Sequence, residues 1–193
     1  MRGKFTQVPE DTFEKLVLNA GILAKGFTPS TGAVTGLVGA TTGGLTFEAT
    51  PEFTDFGEDV DNCPKNTKEM KQITDIAVHV SGTLLTLDTT SAKSLMAAAD
   101  IDGTDATKII PRMNLKDTDF ADIWVIADYS DENTGDGAGY VAIHLKDVLN
   151  TGGFRLTTSD RAKGQFPFDY MAHYSMATPE TIPYEVYVKA GTA

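Results

Sequence analysis

The side chains that could do chemistry in this sequence are few and widely spaced. Its three histidines, His79, His144 and His173, fall in three separate stretches of alternating sequence, so a metal site would require the fold to bring them together. Surface or hydrogen-bonded imidazoles are the expected outcome. Cys63 is the single cysteine, which excludes an internal disulfide, and no Cys/His cluster of zinc spacing accompanies it. It lies in an acidic stretch, the wrong electrostatic setting for a thiolate nucleophile. The glycine run at 39–46 has the outer spacing of a phosphate-binding loop, yet Leu45 stands where a lysine must reach the phosphates. A glycine-rich hairpin is expected there instead. Two aspartate-rich turns, 100–105 and 131–136, resemble calcium loops until their twelfth positions, Pro111 and Ala142, are compared with the bidentate glutamate that an EF-hand needs. No Gly-x-Ser-x-Gly elbow occurs. The residues therefore assign no catalytic, cofactor-binding or metal-binding group, and the chain is expected not to be an enzyme.

The elements that would position any surface are mostly strands. A short helix is expected at 11–20, where Phe13, Leu16, Val17 and Ala20 fall at helical spacing, Asp11 or Thr12 can cap the start and Gly21 the end. The Gly/Thr-rich segment 26–44 reads as strand, turn and strand. Leu45 to Pro51 alternates, and in 74–86 Ile76, Val78, Val80 and Leu84 face one way while Asp75, His79, Ser81 and Thr83 face the other. A hairpin is expected from 123–129 and 140–145. Two closing strands carry Phe166, Phe168, Tyr170, Ala172 and Tyr174 on one face, and Ile182, Tyr184, Val186 and Val188 on one face, with Pro167 and Pro183 near their starts. One helix interrupts them at 91–99, with Thr90 or Ser91 as cap and Ala92, Leu95, Met96 and Ala99 on its apolar side. It is too short to stand alone and must pack on a sheet. The fold class is therefore mainly β: a sandwich or barrel of seven or eight strands with one packed α-helix, a long loop, and an N-terminal arm (1–32) with a short helix.

A length of 193 residues fits one domain, 1–193, with a single core. Twenty-seven acids against 16 bases give a net charge of -11, which argues against wrapping a nucleic acid, because phosphate binding runs on clustered Lys and Arg. No apolar run reaches the roughly 18–20 residues of a membrane span, and the N-terminus is polar, so a soluble, cytoplasmically made protein without a membrane partner is expected. Trp124, the single tryptophan, is expected in a core or an interface. The stretch 51–71 has no sustained period. It holds Phe53, Phe56, the acids Asp55, Glu58, Asp59 and Asp61, and then Lys65, Lys68 and Lys71. A loop of about 20 residues in a compact domain is uncommon and usually belongs to an interface.

The order of short motifs along the chain carries a resemblance. It begins with Phe13, Leu16, Ala20 and Gly21, then Thr41-Thr42-Gly43-Gly44 leading into Phe47, and Thr54 through Asn62. It continues with Val80-Ser81-Gly82-Thr83, the helix at 91–99, Ile110-Pro111-Arg112, Asp122-Ile123-Trp124 and Thr151-Gly152-Gly153-Phe154. Lys163 through Phe168, His173-Tyr174-Ser175 and Ile182 through Glu185 complete it. In this order the sequence resembles the major tail protein, or tail tube protein, of long-tailed bacteriophages and prophages of Gram-positive bacteria.

The resemblance implies a β-sandwich-like barrel flanked by a helix, six copies of which close into a ring, with rings stacking into the hollow tube through which DNA leaves the capsid. It implies a virion protein assembled in the host cytoplasm, with itself, a tape measure protein, a tail terminator and distal tail proteins as partners, and DNA passing without specific binding. The loop 51–71 would reach a neighbouring subunit or ring, with Phe53 and Phe56 as anchors and Asp55, Glu58, Asp59, Asp61, Lys65 and Lys68 as charge partners. Asp75, His79, Ser81 and Thr83 are candidates for the lumen face. Two alternatives share or replace this architecture: a tube of a contractile tail or secretion needle, and a monomeric β-sandwich that binds carbohydrate or acts as an adhesin.

Overall fold

A computed structural model describes residues 8, 9, 12, 15–129 and 138–190. Alternating residues become ten strands among the described residues: β1 (Val17–Thr28), β2 (Ala33–Leu37), β3 (Thr41–Asp55), β4 (Lys71–Leu84), β5 (Ala99–Ile101), β6 (Ile109–Pro111), β7 (Ala121–Tyr129), β8 (Tyr140–Asn150), β9 (Phe166–Met171) and β10 (Tyr184–Lys189). One helix, α1 (Thr89–Leu95), lies between β4 and β5. Eight strands form one antiparallel sheet in the order β2-β1-β7-β8-β9-β4-β3, with β10 also on β8, while β5 and β6 make a separate ribbon. The fold is mainly β, as the alternation predicts.

β8 is the pivot of the sheet. Tyr140 through Leu145 pair with β10, whereas Leu149 and Asn150 pair with β9, so the two halves of the sheet diverge from one strand and face each other. The core fills the space between them. Leu23, Ile123, Val125 and Leu145 come from one half, Val78, Val80, Leu84, Phe168 and Tyr170 from the other, and Leu95 from α1. Each such side chain stabilises the fold by about 1.5–3 kcal/mol of transfer free energy. A second cluster of Ala24, Trp124, Ile126, Tyr140 and Ala142 covers the far side of β1, β7 and β8, with Phe27 edge-on to Tyr140 at 4.9 Å.

Two polar ties close the core. Buried Asn150 donates to the carbonyls of Leu95 (2.7 Å) and Gly153 (3.2 Å) and accepts from the Asp169 amide (3.0 Å), joining the end of α1, a loop and β9. Ser94 and the Tyr170 hydroxyl lie 3.0 Å apart, and burial pushes that phenol above its usual 10.0.

Several expectations change on contact with the fold. The helix expected at 11–20 fails at Val17 to Ala20, which are strand: Val17 and Leu18 pair with Tyr129 and Asp128. A bulge follows, with Asn19 and Gly21 at φ of 65° and 70°, before pairing resumes at Ile22. The extra residues of that bulge shift the apolar alternation into something that mimics a helical period. Asp11 and Phe13 lie outside the described residues, and β1 itself is an interior strand between β2 and β7. The second helix starts earlier than expected and ends at Leu95: Asp88, not Thr90 or Ser91, accepts from the Ser91 amide at 2.6 Å, and Ala99 belongs to β5. The closing strands keep their faces where they are strand, but β9 ends at Met171, so Ala172 and Tyr174 lie beyond it, and β10 begins at Tyr184, so Ile182 lies before it.

The β5–β6 ribbon was not legible, because each strand has only three residues. It is held by Arg112, whose amide donates to the Ala98 carbonyl at 2.8 Å and whose guanidinium pairs with Asp100 (2.7 Å) and with Asp119, a carboxylate fully shielded from solvent. Lys116 adds a pair to Asp100 at 2.9 Å.

Candidate assembly surfaces

The outward face of β3, β4 and β9 is set by alternation. With Val78, Val80 and Leu84 pointing to the core, the odd positions of β4 point away: Asp75, Ala77, His79, Ser81 and Thr83. Their cross-strand partners on β3 are Glu52, Thr50, Glu48, Thr46 and Thr42, and on β9 Met171, Asp169 and Pro167 lie opposite His79, Ser81 and Thr83. The four residues expected on a lumen face therefore share one face. That face carries four carboxylates (Glu48, Glu52, Asp75, Asp169) and, at these strand positions, no Lys or Arg. His79 is held in it by Asp169, Nδ1 to Oδ1 3.0 Å. The surface is open and hydroxyl-rich, and Thr46, Glu48, Thr50, His79, Ser81 and Asp169 line a depression in it of about 450 Å³.

The segment 51–71 is not a loop throughout. β3 runs to Asp55 and β4 begins at Lys71, so 51–55 and 71–75 are the outer limbs of one long hairpin, paired down to Asp55 opposite Lys71. Pro51 interrupts the apolar stripe of β3, and on β4 the extra residue Thr74, between the pairs Glu52–Asp75 and Phe53–Ile73, shifts the alternation, which is why the two strands are hard to see in the sequence. The limbs project past the core, leaving Phe53 (55% exposed) and Ile73 (49% exposed) on the continuation of the core face without a cover. Lys71 Nζ sits 4.8 Å over the Phe53 ring, a cation–π contact.

The tip is organised by one carboxylate. Asp55 accepts from the amides of Gly57 (2.9 Å) and Asn66 (2.8 Å), pinning both ends of the tip, while the Phe56 amide donates to the Met70 carbonyl at 2.9 Å. These amide bonds hold the Asp55 carboxyl below its ordinary 3.8, with Lys71 and Lys65 adding to the effect. Because the folded value lies below the unfolded one, the contribution is complete above pH 3.8 and is lost as pH falls through the lowered value. The Gly57 and Asn66 amide resonances are expected to titrate together with a midpoint below 3.8. Asp55→Ala should abolish that joint titration, and independent midpoints for the two amides would refute the clamp. Phe56, Glu58, Asp59, Asp61, Lys65 and Lys68 stand exposed around the tip, and Lys68 pairs with its neighbour Glu69 at 3.4 Å. Of the groups expected as charge partners, Glu58, Asp59, Asp61, Lys65 and Lys68 thus face outward, whereas Asp55 is turned inward onto the Gly57 and Asn66 amides.

The remaining chemical candidates separate. His144 bonds Asp122 at 2.9 Å and stacks on Trp124 at 4.1 Å between centroids, and His173 lies 3.0 Å from the Asp147 carbonyl. Each histidine has its own partners, and among the described residues no group of three or more His, Cys, Asp or Glu could hold a metal ion. In the turn at 100–105, Asp102 and Asp105 accept from Thr104 and Thr107 (amide distances 2.9 Å each), closing the chain on itself; the turn at 131–136 lies outside the described residues. Cys63 is half-buried, its sulfur 3.5 Å from the Thr67 hydroxyl. No helix among the described residues is long and apolar enough to cross a membrane.

One surface escaped the sequence reading. Tyr184, Val186 and Val188 do share a face of β10, but only Tyr184 reaches the core, where it meets Phe47 at 5.6 Å. Val186 and Val188 are open to solvent. The alternation was visible, whereas the end of the covering sheet was not. Comparison with protein-family models finds no match, and comparison with curated proteins finds none either.

Proposed function

We propose that this chain is the structural subunit of a tail tube: six copies close into a ring, and rings stack into a conduit for DNA in the virion. The observation that carries the reading is the outward face of β3, β4 and β9, where four carboxylates occur across three strands with no Lys or Arg at the paired strand positions. Turned toward a pore and repeated around it, that face presents like charge to a DNA that carries one negative charge per about 1.7 Å of axis. Screening confines the repulsion to about 8–10 Å, so the wall resists sticking without blocking passage. The projecting hairpin supports the same reading, since exposed apolar limbs need a neighbour. Tape measure, terminator and distal tail proteins would meet the two ends of such a tube, because head-to-tail stacking leaves its end rings open.

Negative-stain electron microscopy of the purified chain is expected to show hollow tubes or six-fold rings. Uniform monomers at high concentration would refute the reading. Substituting Thr46, Thr50 and Ser81 together by lysine should leave rings intact while making them retain DNA in a low-salt pull-down. Rings that ignore DNA after that change would remove this face from the pore.

A further inference from the structure

Trp124 of β7, His144 of β8 and Glu185 of β10 form one row across three strands, because His144 pairs with Trp124 on one side and with Glu185 on the other. The imidazole lies flat on the indole, ring centroids 4.1 Å apart and planes 5° apart, and its side chain is only 14% exposed. Its Nε2 meets Asp122 Oδ2 at 2.9 Å, and the other oxygen of that carboxylate accepts from the Asp147 amide at 3.2 Å. Its Nδ1 faces Glu185 Oε2 at 4.0 Å, too far for a hydrogen bond. Glu185 accepts from Lys146 of β8 and from the Tyr187 hydroxyl of its own strand, and these two bonds hold its carboxyl below the ordinary 4.5. It is therefore an anion throughout the range in which imidazoles titrate. Lys189, farther along β10, sits over the Tyr140 ring instead.

A neutral imidazole has one N–H. Whichever ring nitrogen of His144 carries it, the bare nitrogen turns its lone pair toward a carboxylate, Glu185 or Asp122. A second proton removes that conflict, since both nitrogens then donate, and it places a cation on the face of an indole. Lys146 opposes the new charge, but its ammonium is already committed to Glu185. We infer that His144 is a proton-operated clasp for the edge strand β10: on protonation its Nδ1 closes onto Glu185, and the line Asp122, His144, Glu185 then ties β10 across β8 to β7. β10 depends on such a tie more than its neighbours do, because β8 is its sole strand partner among the described residues, whereas β7 and β8 are each paired on both sides. The fastening tightens in acid and loosens as the imidazole loses its proton.

Hydrogen exchange of the full chain, resolved by residue and corrected for the intrinsic pH dependence of amide exchange, reads the clasp. The β10 amides are expected to gain on the order of tenfold in protection between about pH 8 and pH 5, the scale of one hydrogen bond to a charged group. The amides of β2, at the other end of that half of the sheet, should stay level. Emission from Trp124, the single tryptophan, should fall over the same range, as the charged imidazole quenches the indole it stacks on. His144→Gln keeps a donor for Asp122 but takes up no proton, and is expected to abolish both responses. Glu185→Gln separates the clasp from the stack: Trp124 should still report the proton, while β10 no longer answers to it. Protection of β10 that is flat with pH in the unaltered chain, or equally pH-dependent in either variant, would overturn the clasp.

Discussion

A chain in which residues 56–70 are replaced by Asn-Gly is expected to fold, to form single rings, and to fail to stack them. The physical basis is that the hairpin ladder closes at Asp55 opposite Lys71, so a two-residue turn of the type that suits a twisted antiparallel pair can join those positions directly. What is lost is Phe56, Val60 and the acidic and basic groups of the tip, none of which contributes to the core. Excising 51–71 in full would be a poorer experiment, because five paired residues of β3 would go with it and the register of β4 would slip. Light scattering and electron microscopy should show rings but no tubes, with the monomer's melting temperature nearly unchanged. Tubes of normal length from the shortened hairpin would remove the tip from ring stacking.

The second large effect is on stability. Arg112→Ala leaves Asp119, whose side chain is fully shielded, without its cation, and removes a partner of Asp100. Breaking a buried pair from one side costs about 3–5 kcal/mol, because the remaining charge stays desolvated. For a domain of this size that corresponds to a fall in melting temperature of roughly 6–20 °C, at about 2–4 °C per kcal/mol. Thermal denaturation followed by circular dichroism reads it. The double change Arg112→Met with Asp119→Leu should recover much of the loss, since it removes both charges. If the single substitution costs under about 1 kcal/mol, the ribbon is held by its backbone and not by the ion pairs.

Strand faces were legible wherever a stretch of strand lies over the core. In β4 the division between Val78, Val80 and Leu84 and the opposing Asp75, His79, Ser81 and Thr83 follows directly from a period of two. Legibility fails where an extra residue enters. The bulge at 19–21 turned strand into apparent helix, and Pro51 of β3 together with the extra residue Thr74 of β4 hid five residues of each strand inside an apparent loop. It also fails where the decisive quantity is not local. Nothing in the sequence around Val186 and Val188 says that the opposing half of the sheet ends before reaching them. Arg112 and Asp119 are seven residues apart with no periodic element between them, so their pairing emerges only once β5 and β6 have closed. The candidate pore face was readable in β4 alone; its extension to Glu48, Glu52 and Asp169 required the register.

The pairing of β1 with β7 has a consequence in time. Val17 finds Tyr129 only after about a hundred further residues have been made, which at about 5–20 residues per second is a wait of roughly 5–20 s on the ribosome. The β3–β4 hairpin is complete by Leu84 and can close locally long before that. The limb that carries Phe53 and Ile73 is thus presented to neighbouring nascent chains while the sheet that should anchor it does not yet exist. Glu48, Glu52, Glu58, Asp59 and Asp61, five of the six acids within 14 residues of sequence, then put like charge on that limb as gatekeepers. They keep early hairpins apart until each has a folded body behind it.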